Sequence, residues 1–197
     1  MEFYIVRHGR TEWNAKGLIQ GISDIPLLEE GREMARQTAR GLKTVSFDAV
    51  YASPLSRAFE TAEILVKGRN LEIRKEQRLR EMDFGIYEGE DYMRNSELLR
   101  GFYDAPDRYQ APEGGESFYD VEKRTSDFLN EIRKIHGDGE RILIVAHAAV
   151  NQVLFHLMEK NELKHLWNGG RQQNCAVATA VSEGEGFRII ERNRVFY

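Results

Sequence analysis

Val6-Arg7-His8-Gly9-Arg10-Thr11-Glu12-Trp13-Asn14 continues the run Met1-Glu2-Phe3-Tyr4-Ile5-Val6, which reads as a buried first strand. His8 is therefore delivered, between an arginine and a glycine, at the point where a strand ends. Gly9 is expected to relax the backbone where the chain must turn. In an open α/β sheet, ligands bind in the crevice beyond the carboxyl ends of the strands. An imidazole there can serve as nucleophile, base or metal ligand.

A second histidine, His147, follows the apolar run Ile142-Leu143-Ile144-Val145-Ala146 in the same strand-then-loop context. Val50-Tyr51-Ala52 reads as another strand, and Ser53-Pro54-Leu55-Ser56-Arg57 turns from it into a helix from Ala58 to Val66, with Ser53 or Ser56 as the cap. If these strands are parallel neighbours, Arg7, His8, Arg57 and His147 converge at one sheet edge, near helix N-termini whose N–H groups favour anions. Two histidines and two arginines around one point suit a phosphoryl group.

A carboxyl group completes the set, in Leu79-Arg80-Glu81-Met82-Asp83-Phe84-Gly85-Ile86-Tyr87-Glu88-Gly89 after the strand-like Leu71-Glu72-Ile73-Arg74-Lys75. At this point the chain resembles the histidine phosphatase superfamily, also called the phosphoglycerate mutase-like family. The resemblance rests on Arg7-His8-Gly9, Ser53-Pro54-Leu55-Ser56-Arg57-Ala58-Phe59-Glu60-Thr61, the Glu81 to Gly89 segment and Ala146-His147. The order matches as well as the letters, and four motifs in register are far more specific than any one. The resemblance implies that His8 attacks phosphorus and becomes a phosphohistidine, that Arg7, Arg57 and His147 hold the equatorial oxygens, and that Glu81 protonates the leaving alkoxide. Asn14 matches a polar position that contacts phosphate in such enzymes, and Gln20-Gly21 matches a loop that closes beside it. Ala148 stands next to the phosphate position. No metal or cofactor is implied, because phosphoryl transfer needs positioning and charge neutralisation, which cationic side chains supply. The arginine charges should also depress the pKa of His8 and keep it neutral.

Three positions depart from the commonest family pattern. Arg10 sits where Glu or Gln is frequent, Ala148-Ala149 follows His147 where Gly is usual, and Leu28 stands where Thr or Ser caps the next helix. None removes a group assigned to the chemistry. For the general acid, Asp83, Glu12 and Glu88 stand as alternatives to Glu81. Asn14 has a simpler use in holding its own turn. His136, His156 and His165 read as ordinary surface or helix histidines.

With 197 residues and 41% hydrophobic content, the chain can bury one sizeable core, and residues 1–197 read as a single domain. A net charge of −4 and a pI near 5.8 give no electrostatic footprint for nucleic acid or an anionic membrane. The expected partner is a small phosphorylated metabolite. One cysteine, Cys175, excludes an internal disulfide and a Cys-rich zinc site. The apolar start is broken too early by Arg7 and His8 for a signal peptide, and no stretch approaches the roughly 20 apolar residues of a membrane helix. A cytoplasmic location is expected.

The strand and helix readings alternate as in a three-layer, doubly wound, mostly parallel sheet with helices on both faces. The Thr11 to Pro26 stretch reads as a loop, Glu29 to Leu42 as a helix, Phe118 to Ile135 as a helix capped by Ser117, and Val150 to Met158 as the helix after His147. Cys175 to Val181 and Phe187 to Arg192 read as a closing hairpin across Glu183-Gly184-Glu185-Gly186. Between Glu88 and Gly114 seven acids face three arginines, with Pro106 and Pro112 as breakers. That segment, residues 88–114, reads as a cap-like insertion over the site, with some of Tyr92, Phe102, Tyr103, Tyr109, Phe118 and Tyr119 lining the pocket. Its acidic balance predicts that the substrate beyond the phosphate is neutral, cationic or aromatic.

The leading expectation is a phosphomonoesterase. Phosphoglycerate mutase chemistry uses the same centre but needs a second anion-holding group, and the similar mutases have longer chains. A catalytically inactive binding module is the third possibility, against which the complete set of His8, Arg7, Arg57 and His147 argues.

Overall fold

The computed structural model describes residues 1–184 and 186–197, and for residues 96–99 the helical backbone alone. Among the described residues the strands are β1 (Glu2–Arg7), β2 (Ala49–Ala52), β3 (Ile73–Lys75), β4 (Arg141–Ala146), β5 (Val177–Glu183) and β6 (Gly186–Arg194). The helices are α1 (Glu12–Lys16), α2 (Glu29–Gly41), α3 (Ser56–Val66), α4 (Ser96–Asp104), α5 (Phe118–Ile135) and α6 (Ala148–Glu159). The six strands form one sheet in the order β3-β2-β4-β1-β5-β6. β3, β2, β4 and β1 are parallel, and β5 runs antiparallel to both of its neighbours. This is the mostly parallel α/β sheet expected.

Strand alternation sends side chains to opposite faces and divides the core accordingly. Phe3, Ile5, Tyr51, Ile142 and Ile144 join one cluster with α5 and α6, while Val6, Val50, Leu143 and Val145 join the other with α3 and the end of α2. β4 lies between strands and between helix layers, so Ile142 through Ala146 are all buried. The continuous apolar run in the sequence has this cause.

Register sets the functional edge. Arg7 pairs with Ala146 across β1 and β4, and Ala52 pairs with Val145 across β2 and β4. The three strands thus end nearly level, and the residues that follow them, His8, Ser53 and His147, emerge together.

Gly9 serves a purpose other than the one expected. It does not adopt positive φ. A Cβ there would stand 2.5 Å from the carbonyl oxygen of Gly31, and one on Gly31 would stand 2.3 Å from that of Arg10. The pair lets the loop after β1 press against α2, and close approach rather than turn freedom is what glycine supplies.

Several helix ends also differ from expectation. The Thr11–Pro26 stretch contains α1, held by a capping box between Thr11 and Asn14. Neither Ser53 nor Ser56 caps α3 with its side chain; Leu55 is the N-cap, and Asp24 Oδ1 accepts the Ser56 N–H at 2.7 Å. Leu28 caps α2 without a side-chain bond, as anticipated, and is tied instead by its N–H to the Arg10 carbonyl at 2.9 Å. Ser117 caps α5 in a capping box with Asp120. The hairpin of β5 and β6 forms, but Glu185 of its expected turn lies outside the described residues. Among the described residues no helix is long and apolar enough to cross a membrane.

Candidate active site

His8 leaves β1 with its N–H bonded to the Ala146 carbonyl at 3.0 Å, so the sheet itself fixes its backbone. Its ring Nδ1 lies 2.7 Å from the Gly9 carbonyl oxygen. A carbonyl only accepts, so Nδ1 carries the proton and the lone pair sits on Nε2. Burial, together with the charges of Arg57 and Arg7, holds the His8 pKa well below 6.5. The ring is a neutral imidazole of defined tautomer.

Arg7 is buried, and its Nη1 donates to the Gln172 carbonyl at 2.8 Å. Arg57 is fully buried at the start of α3, donating from Nη1 to the Ser23 carbonyl at 2.8 Å and from Nη2 to the Gly21 carbonyl at 2.6 Å. Burial lowers both pKa values to about 10, which leaves both guanidiniums charged at neutral pH. Arg57 thereby anchors the loop that precedes α2, and Gly21 belongs to the site through its carbonyl.

His147 is the N-cap of α6, fully buried, with its ring centroid 5.1 Å from that of His8. Its Nε2 lies 2.8 Å from Ser53 Oγ. Burial and then Arg57 hold its pKa well below 6.5. Two neutral imidazoles and two guanidiniums therefore meet at the ends of β1, β2 and β4.

Glu81 is 5% exposed and doubly engaged. Oε1 accepts the N–H of Met82 at 3.0 Å and of Val150 at 3.2 Å, and Oε2 accepts that of Ala149 at 3.2 Å. The carboxyl thus takes up N–H groups of the first turn of α6. Burial raises its pKa, and the backbone N–H groups and Arg57 only partly oppose that. The alternative acids are occupied elsewhere. Glu12 pairs with Lys16 at 2.6 Å, Asp83 accepts the Gly85 N–H at 2.8 Å, and Glu88 accepts those of Ile22 and Ser23 at 2.6 and 2.7 Å. Of these four, Glu81 alone lines the cavity at His8.

That cavity, of about 80 Å³, is also lined by Arg7, Asn14, Gln20 and Ala148. Arg57, His147 and Gly21 are not among the residues that line it. Asn14 does hold its own turn, and its Nδ2 also donates to Gln20 Oε1 at 3.1 Å. From the 88–114 segment come Tyr92, Phe102 and Tyr103, whereas Tyr109 and Phe118 pack behind Phe102, and Tyr119 is exposed. Among the described residues, none of that segment's acids lines this cavity. Arg171 also lines it, a residue that sequence reasoning missed along with Trp167. Both lie in the irregular stretch after α6, where no periodicity marks them; Trp167 donates from Nε1 to the Phe102 carbonyl at 2.9 Å. His156 is a buried helix histidine of α6, near Glu122 at 3.3 Å, and His136 bonds to Glu140 and Tyr51.

Among the described residues eight buried side-chain polar atoms lack a hydrogen-bond partner, and four of them belong to this site: Arg7 Nε, Gln20 Nε2, Arg57 Nε and His147 Nδ1. Native proteins seldom leave such groups unmet, so their clustering marks a place for a ligand rich in acceptor oxygens. Among the described residues no group of three or more His, Cys, Asp or Glu is placed to hold a metal ion.

The family model described as histidine phosphatase superfamily (branch 1) matches residues 3–195. The chain is 32% identical over 174 residues to phosphoserine phosphatase 1 of Hydrogenobacter thermophilus, covering 86% of this chain and 82% of that protein. It is 38% identical over 160 residues to phosphoglycerate mutase-like protein 4 of Arabidopsis thaliana, covering 78% and 69% of the two chains. Among solved structures, YhfR of Bacillus stearothermophilus superposes with a TM-score of 0.91 at 34% identity, covering 98% of this chain and 97% of that one.

Proposed function

Because the chain belongs to the histidine phosphatase superfamily, branch 1, we propose that it hydrolyses small phosphorylated metabolites, as a phosphomonoesterase, through a phosphohistidine on His8. The observation that carries the mechanism is the cluster of four unmet buried polar atoms around a neutral, Nδ1-protonated His8. A phosphoryl group brings three acceptor oxygens, and Arg7, Arg57, Gln20 and His147 are the groups that would receive them. Asn14 orients Gln20, the Gly21 carbonyl orients Arg57, and Ala148 bounds the pocket beside His147.

In the first step the Nε2 lone pair of His8 attacks phosphorus, the ester P–O bond breaks, and the leaving oxygen takes the proton of the Glu81 carboxyl. In the second, the Glu81 carboxylate takes a proton from water as that water attacks phosphorus, the N–P bond breaks, and its electron pair returns to Nε2. Phosphate leaves and Glu81 is again protonated. The guanidinium charges neutralise the transferring group throughout, so the reading is a metal-independent one.

Residues 88–114 act as the cap on this reading, since Tyr92, Phe102 and Tyr103 line the cavity. The compartment proposed is the cytoplasm, in keeping with a single cysteine held as a free, buried thiol. The test is phosphate release from p-nitrophenyl phosphate and from a panel of metabolite monophosphates, ranked by kcat/KM. No release above the uncatalysed rate from any of them would remove the hydrolase reading.

A further inference from the structure

The cavity at His8 shares Arg7, Asn14, Leu18, Tyr92, Tyr103 and Arg171 with a larger one of about 740 Å³. Of the other cations of the outer cavity, Arg10 pairs with Glu30 at 2.8 Å, Lys16 pairs with Glu12 at 2.6 Å, and Arg7 donates to the Gln172 carbonyl at 2.8 Å. Asp91, the acid of that wall, accepts the Met93 N–H at 2.8 Å and faces Arg94. The Arg171 side chain makes no hydrogen bond or ion pair among the described residues. It stands near enough to Arg7 to disfavour that residue's charge, and both guanidiniums line the two cavities.

Its backbone is fixed. The next residue, Gln172, is buried; its carbonyl accepts from Arg7, and its side chain donates to the carbonyls of Ile5 and Ala176 at 2.9 Å and accepts from Asn151 at 2.8 Å. An arginine on so fixed a backbone, lining both cavities, is placed to meet a charge on the ligand.

Resting on the hydrolase reading above, we propose that Arg171 selects phosphate monoesters that carry a second anionic group, such as a carboxylate, on the part of the molecule outside the phosphoryl pocket. Tyr92, Tyr103 and Trp167 flank the path between the two charges and take up the carbon skeleton. This reverses the expectation drawn from the acidic balance of residues 88–114. Among the described residues those acids do not line the inner cavity, whereas Arg171, which does, is positive.

The probes are ω-phosphooxy carboxylates of three to five carbons and their carboxamides, which match in shape and differ in charge. In the wild type the carboxylate should be favoured in kcat/KM by about tenfold at the chain length that reaches Arg171, a modest factor because the side chain is exposed. Raising the salt should shrink the preference. Arg171→Met should abolish it, Arg171→Glu should invert it, and Arg171→Lys should keep part of it, with thermal unfolding confirming that each variant is folded. Three results would overturn the proposal: carboxylate and carboxamide within twofold of each other at every length, a preference that survives Arg171→Met, or an equal loss on both substrates in that variant. Hydrolysis of p-nitrophenyl phosphate by the wild type separates these failures from failure of the hydrolase reading itself.

Discussion

His147 Nε2 lies 2.8 Å from Ser53 Oγ, and that contact decides what His147 can do. Ser53 Oγ also accepts the Leu55 N–H at 3.4 Å, which leaves the hydroxyl proton free to point at His147. With that proton on Nε2, the ring's own proton sits on Nδ1, the nitrogen with no protein partner. The opposite tautomer would present a lone pair to an anion. On the proposed mechanism Ser53 is thus a positioning residue for a phosphate donor. Ser53→Ala leaves Nε2 buried and unpaired, at a cost of about 1–3 kcal/mol. Expressed as lost transition-state binding, that is about ten- to a hundredfold in kcat/KM. Ser53→Thr should restore most of it. The ¹⁵N shifts of His147 report the tautomer directly, and a tautomer unchanged in Ser53→Ala would remove this role.

For His8 the expectation concerns the covalent intermediate. Its Nδ1–H bond to the Gly9 carbonyl and its pKa well below 6.5 leave Nε2 as a free nucleophile. His8→Ala should abolish turnover, and wild-type enzyme quenched during turnover should carry phosphate that is acid-labile and alkali-stable. Phosphate trapped on a serine or an aspartate would contradict the assignment.

The histidines and arginines of the site were legible because the strands that carry them announce themselves. Ile142–Ala146 and Phe3–Val6 are apolar runs, and residues that follow such runs fall at one sheet edge. What stayed hidden depended on contacts between distant segments. Ser53 reads locally as a helix cap, but its hydroxyl is claimed by His147, and Asp24 caps the helix instead. Gly9 reads as a turn residue, yet its reason is the carbonyl of Gly31. Arg171 and Gln172 lie in irregular chain after α6, and only the tertiary fold brings them against Arg7. That the described acids of residues 88–114 do not line the inner cavity was hidden for the same reason, since composition says nothing about which way a side chain faces.

Charge neutralisation by side chains has a direct consequence for metal dependence. Arg7 and Arg57 are charged at neutral pH and flank His8. Turnover should therefore continue at its full rate in excess EDTA. A large loss in chelator, restored by one particular divalent ion, is the contrary outcome.

Stability should fall on acidification below neutrality, and the sign follows from the two imidazoles. His8 and His147 have folded pKa values well below the 6.5 of the unfolded chain. Below about pH 6.5 the unfolded state therefore binds more protons than the folded one, so stability present above that pH is lost as the pH drops toward the folded values. Glu81 acts in the opposite direction: its folded pKa is raised, so its contribution is present below 4.5 and fades as the pH rises through the folded value. With two histidines against one carboxyl, Tm should decline between pH 7.5 and 5.5. The decline should be shallower in His8→Asn, and an identical slope in both proteins would show that the site does not govern it.

Glu81 has two occupations in the structure, and leaving-group dependence separates them. Its oxygens hold the Met82, Ala149 and Val150 N–H groups, which is a structural task at the start of α6. Its burial beside His8 raises its pKa, which is what a proton donor needs. A phosphate dianion brought beside it raises the pKa further through like-charge repulsion. His8 must be neutral and Glu81 protonated, so kcat/KM should follow a bell whose acidic limb belongs to His8 and whose alkaline limb belongs to Glu81, with its optimum on the acidic to neutral side. Glu81→Gln keeps one acceptor oxygen for the helix start but cannot donate a carboxyl proton. It should lose about 10²- to 10⁴-fold on alkyl phosphates, whose leaving alkoxide needs that proton, and far less on p-nitrophenyl phosphate. The alkaline limb should vanish with it. An equal loss on both substrates, with the limb intact, would reduce Glu81 to a helix-capping residue and return the search for the acid to Asp83 and Glu12.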